Sequence, residues 1–254
     1  MNDELFELSV LASTRIDPKD VIGTKKEYRL HGALKYYFQP DDRFHEVKVG
    51  RYLCDAVSED GSEFIEIQTR ALNRMANKIK ALTKLGTLTV VYPIITKKRL
   101  IVTYEDDGEA SVRKSPKSGS LLDFFHEIYP IRDLLLTENL RFKLVFLHCD
   151  EIRVYAGTKA ERRPFRKPIS IERIPTFLES ITELSGAEGL AALIPDSLPE
   201  YFNSLTFAKA MSIPRAEAGY VINPLVSVGV LCRVGRNKEG YVYTRASAEK
   251  THST

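Results

Sequence analysis

The sequence predicts a two-domain α/β chain, with a mixed-sheet core followed by a small α+β module, and three observations carry that expectation. Two β-patterned segments, residues 51–57 and 63–69, flank an Asp60-Gly61 turn. A basic amphipathic helix and a third β run, residues 87–95, follow at once. From residue 198 the chain reads helix, turn, helix, hairpin.

The first element is a helix over residues 25–38. Leu30, Ala33, Leu34 and Tyr37 form an apolar stripe, and Glu27, His31 and Lys35 lie at i, i+4 and i+8 beside it. In the hairpin that follows, Asp55 stands on the first strand and Glu66-Ile67-Gln68 on the second. Side chains alternate along a strand, so Glu66 and Gln68 share one face while Ile65 and Ile67 pack on the other. Two carboxylates and a polar partner therefore converge, the oxygen-rich donor set that a hard cation such as Mg²⁺ prefers. Such a cation can clamp a phosphodiester and activate a water.

A helix over about residues 70–85 buries Leu72, Met75, Ile79 and Leu82 at helical spacing and lines Arg70, Arg74 and Lys78 along another face. Residues 87–95 read as a buried strand stopped by Pro93, and residues 97–104 as a separate β arm. The polar stretch 105–119 reads as an exposed loop. Ser120 caps a helix carrying Leu121, Phe124, Phe125 and Ile128, and strands over 141–147 and 151–155 close the first domain, residues 1–157. Residues 158–170 form a basic linker in which Arg162, Arg163 and Arg166 can meet phosphates.

The second domain, residues 171–254, is read as helices over 174–181 and 187–194, then a short helix over 206–211 capped by Thr206 or Ser204. A turn at 212–214 leads to a second helix over 216–228, bent by Pro224. A hairpin of strands 230–235 and 241–245 ends the pattern. Arg215 and an exposed face bearing Glu217, Tyr220 and Asn223 would meet a groove, and Arg236 and Lys238 a phosphate backbone.

The Cys54-Asp55-Ala56-Val57 and Phe64-Ile65-Glu66-Ile67-Gln68-Thr69 segments resemble the PD-(D/E)xK nuclease superfamily, in the Glu-x-Gln form found in nuclease-like competence proteins and related prokaryotic proteins. The resemblance covers roughly residues 25–93 and implies a restriction-endonuclease-like core. It implies that Asp55 and Glu66 are ligands of Mg²⁺ or Mn²⁺, with the Ile67 carbonyl a third and Glu27 assisting. Gln68 replaces the family's lysine and would position water, so the positive charge at the reacting phosphate must come from elsewhere, with Lys35, Arg74 and Lys78 the candidates, while His31 or Lys35 touches phosphate or orients water. Residues 198–245 are similar to the winged helix-turn-helix family, which implies DNA contact or a protein-interaction role.

The expected function is a metal-dependent nuclease acting on DNA, with RNA chemically open as a substrate. The alternative is a catalytically inactive nuclease-fold regulator or assembly protein. Homodimerisation would suit cutting both strands. At 254 residues and 43 % hydrophobic the chain can bury a sizeable core, while a net charge of +3 is too small to establish nucleic-acid binding by itself. No run of eighteen apolar residues and no signal-peptide pattern are read, so no membrane partner is expected. Cys54, Cys149 and Cys232 lack metal-ligand spacing and read as small buried hydrophobes in a reducing cytoplasm.

Overall fold

A computed structural model describes residues 4–14, 28–104, 110–155 and 168–246. Helix α1 (Glu4–Ser13) and helix α2 (Tyr28–Phe38) precede strands β1 (His45–Val49), β2 (Tyr52–Val57) and β3 (Glu63–Ile67). Helix α3 (Ala76–Leu82), strands β4 (Thr87–Tyr104) and β5 (Ser111–Lys114), helix α4 (Leu121–Ile128), and strands β6 (Leu140–Tyr155) and β7 (Ile169–Ser185) follow. Helices α5 (Gly186–Ala191), α6 (Ser204–Ala210) and α7 (Ala218–Ser227) and the hairpin of β8 (Leu231–Asn237) and β9 (Gly240–Arg245) complete the chain.

The fold is α/β, as expected, with one mixed sheet of seven strands in the order β1-β2-β3-β4-β6-β7, to which β5 adds by pairing with β4. Two compact units interleave along the chain. One comprises Met1–Ile67, Val91–Ser120 and Leu144–Thr182, the other Gln68–Val90, Leu121–Lys143 and Glu183–Thr254. The units therefore differ from a division into residues 1–157 and 171–254.

In the first unit the stripe on α2 is buried as expected. Leu30 and Leu34 pack with Phe6, Ala56, Ile65, Ile67, Val91, Val145, Leu147, Cys149 and Leu178, with Tyr37 against the edge of the cluster. This core fixes α2 over β2 and β3, so the residues on its other side stand in a defined place above the sheet. Gly119 in the same unit has no room for a side chain, because a Cβ there would lie 2.9 Å from the Ile95 carbonyl oxygen. Gly119→Ala should cost about 1–3 kcal/mol in chemical denaturation, since backbone rather than a pliable side chain must move.

The structure corrects several expected elements. Residues 174–181 are not helical but lie inside β7. Ile174, Phe177, Leu178 and Ile181 fit a helical spacing, yet β-branched and aromatic residues favour a strand once a sheet edge is there to pair with. As the last strand of the sheet order, β7 also tolerates Pro175, whose missing N–H an edge can spare. Pro93 does not end a strand, and β4 runs through it as one element. Likewise β6 is continuous, because His148-Cys149-Asp150 holds no glycine or proline to turn it. The polar stretch after β4 contains β5, paired antiparallel with Arg99 opposite Lys114 and Leu100 opposite Arg113.

The helix expected over 70–85 is shorter and broken. Ala71 sits in the left-handed region at φ 58°, followed by a 3₁₀ turn at Leu72–Met75 and then α3. Its four apolar residues are nonetheless buried as read. Asn203, rather than Ser204 or Thr206, caps α6 by accepting from the Thr206 N–H at 2.9 Å. Cys232 is exposed, unlike Cys54 and Cys149. Of the linker only residues 168–170 are described, and two of these begin β7. No helix among the described residues is long and apolar enough to cross a membrane.

Candidate active site

The β2–β3 hairpin pairs Ala56 with Ile65 and Val57 with Phe64, so the next rung sets Asp55 opposite Glu66. On the other side β1 pairs His45 with Ala56 and Val47 with Cys54, which sets Glu46 opposite Asp55. Three acidic residues thus occupy one rung across three strands. Like charges in such positions repel, and the ladder gives way at this rung.

The way it gives way defines the site. Between β2 and β3 the carboxylates take main-chain donors. The Ile67 N–H donates to Asp55 Oδ2 at 2.7 Å, and the Asp55 N–H donates to Glu66 Oε1 over a longer 3.4 Å. Side-chain oxygens therefore satisfy N–H groups where the strands part. Between β1 and β2 the irregularity lies in Glu46 itself, which holds φ 50° inside a strand. A non-glycine residue in that region costs about 1–3 kcal/mol, which the surroundings must offset. Glu46 Oε1 accepts from Lys35 Nζ at 2.6 Å.

Helix α2 supplies the compensating charge. His31 and Lys35, one turn apart, meet Asp55 and Glu46 respectively, and His31 Nε2 lies 3.2 Å from Asp55 Oδ2. Lys35 is only 8 % exposed and Glu66 only 6 %, so both charges sit where water screens poorly. Burial pulls the His31 pKa down, but the hydrogen bond and charge of Asp55 outweigh it and leave the imidazole above its ordinary 6.5. With the folded value raised, the His31–Asp55 pair stabilises the fold fully below pH 6.5 and loses that contribution as pH rises through the folded value. An NMR titration of metal-free protein should place the His31 midpoint above 6.5, and Asp55→Asn should bring it down.

Of the residues expected at the site, Asp55, Glu66, Ile67, His31 and Lys35 come together in the first unit. Glu27 lies outside the described residues, as do Arg162, Arg163 and Arg166. Gln68 belongs to the second unit, and its Nε2 donates to the Arg70 carbonyl at 2.5 Å, closing the turn into the next element. Arg70 and Arg74 are exposed and Lys78 is half-buried, also in the second unit. Glu46 was missed because β1 was not read. The alternation His45-Glu46-Val47-Lys48-Val49, with β-branched residues at 47 and 49, is the signal that would have found it.

The donor set at Asp55 and Glu66 is all oxygen, as Mg²⁺ or Mn²⁺ requires. Among the described residues no cluster of three or more His, Cys, Asp and Glu side chains is placed to hold a metal. The fit is thus to a cation held by two carboxylates, with or without the Ile67 carbonyl, that keeps several waters, as Mg²⁺ commonly does.

In the second unit the order α6, turn, α7, β8-β9 hairpin is as read. The 3₁₀ turn Arg215–Glu217 leads directly into α7, and α7 accommodates Pro224 within its length. The face given to a groove is partly covered. His126 Nε2 lies 2.8 Å from Glu217 Oε2 and its ring stacks on Tyr220 at 4.3 Å, with Tyr129 edge-on to Tyr220 at 5.1 Å. Asn223 is half-buried. Arg215, Arg236 and Lys238 are exposed, and the Arg236 guanidinium sits 5.4 Å from the Tyr241 ring centroid.

Comparison with known proteins adds a family and a relative. A family model described as a domain of unknown function (DUF8091) matches residues 28–185, which spans α2 through the last residue of β7. The chain is 35 % identical over 181 residues to an uncharacterized protein of Treponema pallidum (strain Nichols), covering 71 % of each chain. No solved structure matches.

Proposed function

The chain belongs to the DUF8091 family, and from the opened rung at Asp55 and Glu66 we propose that it is a Mg²⁺- or Mn²⁺-dependent nuclease acting on DNA, with a PD-(D/E)xK-like core and a winged-helix-like C-terminal part. The observation that carries the reading is the replacement of main-chain ladder contacts by the two carboxylates at one rung, beneath a histidine that meets Asp55 at 3.2 Å. Strands part in this way at a cost, and a cation between the buried Glu66 and the half-buried Asp55 would offset it.

Asp55 and Glu66 would hold the cation. When bound, the cation would neutralise charge on the phosphodiester and lower the pKa of a water. The chain's own residues do the rest. His31, whose Nε2 lies 3.2 Å from Asp55 Oδ2 and whose pKa Asp55 raises, is the basic side chain that stands beside the two carboxylates where the family has lysine. Lys35 and Gln68 serve this role less well. The Lys35 ammonium faces Glu46, and the Gln68 amide nitrogen is engaged by the Arg70 carbonyl. Lys35 instead fixes Glu46 and keeps the rung from carrying three uncompensated charges.

The regulator reading is favoured by one observation, the cover that His126 and Tyr129 place on Glu217 and Tyr220. It limits groove reading by α7 and leaves contact with DNA to the hairpin. The test is a cleavage assay on single-stranded, double-stranded and branched DNA, with an RNA arm, in Mg²⁺ or Mn²⁺ and with a chelator. Metal-dependent cutting supports the nuclease. Binding without cutting under every condition selects the regulator.

A further inference from the structure

In the second unit a stack of flat side chains runs from the core out along the β8–β9 hairpin. Phe207 and Phe202 are buried with their rings stacked at 5.8 Å, and Phe202 stacks in turn on Tyr243 of β9 at 6.2 Å. Main-chain hydrogen bonds pin this join. The Phe202 N–H donates to the Tyr243 carbonyl at 3.0 Å and the Tyr243 N–H to the Phe202 carbonyl at 2.8 Å. The Arg233 guanidinium continues the stack, 5.9 Å from the Tyr243 ring centroid and 3.9 Å from that of Tyr241, with Arg236 at 5.4 Å from Tyr241. Tyr243 is 6 % exposed and Tyr241 43 %, so the stack is rooted in the core and ends in solvent.

A bulge in β8 brings both guanidiniums to that open end. Arg233 pairs with Tyr243 and Arg236 with Tyr241, so β8 spends three residues where β9 spends two, and Val234 has no cross-strand partner. Strict alternation would send Arg236 to the face opposite Arg233. The extra residue returns it to the face of Tyr241 and Tyr243. Val234, Arg236 and Tyr241 are all exposed, so packing does not call for the bulge. Both guanidiniums take rings as partners, and a guanidinium held by its face on a ring keeps its N–H edge for an acceptor.

We propose that this end of the hairpin binds an unpaired base of single-stranded DNA, which extends the stack at Tyr241 while Arg233 and Arg236 donate to the flanking phosphates. Stacking on an aromatic ring needs a base released from its neighbours, and every base offers the face it requires. A duplex keeps its base faces covered and offers the arginines only phosphates. An acidic peptide would match the guanidiniums but give the open ring no flat partner. The inference rests on the reading that the chain acts on DNA and adds to it a preference for unpaired strands, and it uses no residue of the opened rung.

The test is fluorescence anisotropy with a labelled thymidine oligonucleotide and with the same strand annealed to its complement, across a salt series and in chelator, so that cleavage plays no part. Wild type should bind the single strand about tenfold or more tighter than the duplex. Tyr241→Ala should weaken single-strand binding about tenfold and change duplex binding less than about twofold, while Tyr241→Phe keeps the preference. Arg236→Ala should flatten the slope of log affinity against log salt on the single strand by about 0.7. Circular dichroism checks that each variant folds, and the wild-type preference and the Arg236→Ala slope decide the matter even if Tyr241→Ala does not. A folded Tyr241→Ala that keeps the preference, or an unchanged slope in Arg236→Ala, would overturn the proposal. Wild type that binds the duplex as tightly as the single strand would overturn it and leave the DNA reading in place, whereas wild type that binds neither would overturn both. Loss of cleavage with this binding intact would count against the hydrolytic reading alone.

Discussion

Glu66→Ala is expected to lower metal-dependent cleavage at least about 100-fold, since even residues that merely orient a metal ligand change affinity by about 10–100-fold. Glu66 is buried at the point where β2 and β3 part, and its Oε1 takes the Asp55 N–H. Alanine removes both the proposed cation ligand and the acceptor for the Asp55 N–H. Glu66→Gln separates the two roles, because the amide keeps an acceptor oxygen and the shape while losing the charge. If charge at the cation is what matters, Glu66→Gln should be nearly as inactive as alanine, while its unfolding midpoint should stay at or above that of wild type, since one of three like charges in a rung has gone. A fully active Glu66→Gln would show that the carboxylate is structural.

Phe124→Ala should cost about 3–5 kcal/mol in denaturant unfolding, because it removes a fully buried ring from the second unit. Phe124 packs edge-on against Phe142 at 5.3 Å and Phe125 at 6.0 Å, so truncation loses transfer energy and two aromatic contacts and leaves a cavity between α4 and β6. Phe124→Leu fills most of that volume and should cost less than alanine. Equal costs for the two variants would mean that the site collapses around whatever is put there.

The hairpin was legible from sequence because its signals are local. Asp60-Gly61 sets the turn, Gly61 takes φ 73°, and the alternation of Phe64 to Ile67 fixes which residues face the core. The α2 stripe was legible for the same reason. The long strands were not. A period of 3.6 at Ile174, Phe177, Leu178 and Ile181 competes with β-branched propensity, and pairing with a strand distant in sequence decides the outcome. The site was half legible. Asp55 and Glu66 follow from the hairpin register, but Glu46 depends on the pairing of β1 with β2 and on a left-handed φ that no local residue type announces. The partners of Lys35 and Gln68 were equally hidden, since an ammonium or amide reads from sequence as available, whatever acceptor the fold brings to it.

Isothermal titration calorimetry of Mn²⁺ into metal-free protein tests directly the proposal that the opened rung takes a cation. Wild type should bind one Mn²⁺ with heat that disappears in Asp55→Asn and in Glu66→Gln, with both variants folded by circular dichroism. Binding that survives unchanged in both, or no binding by folded wild type, would contradict it.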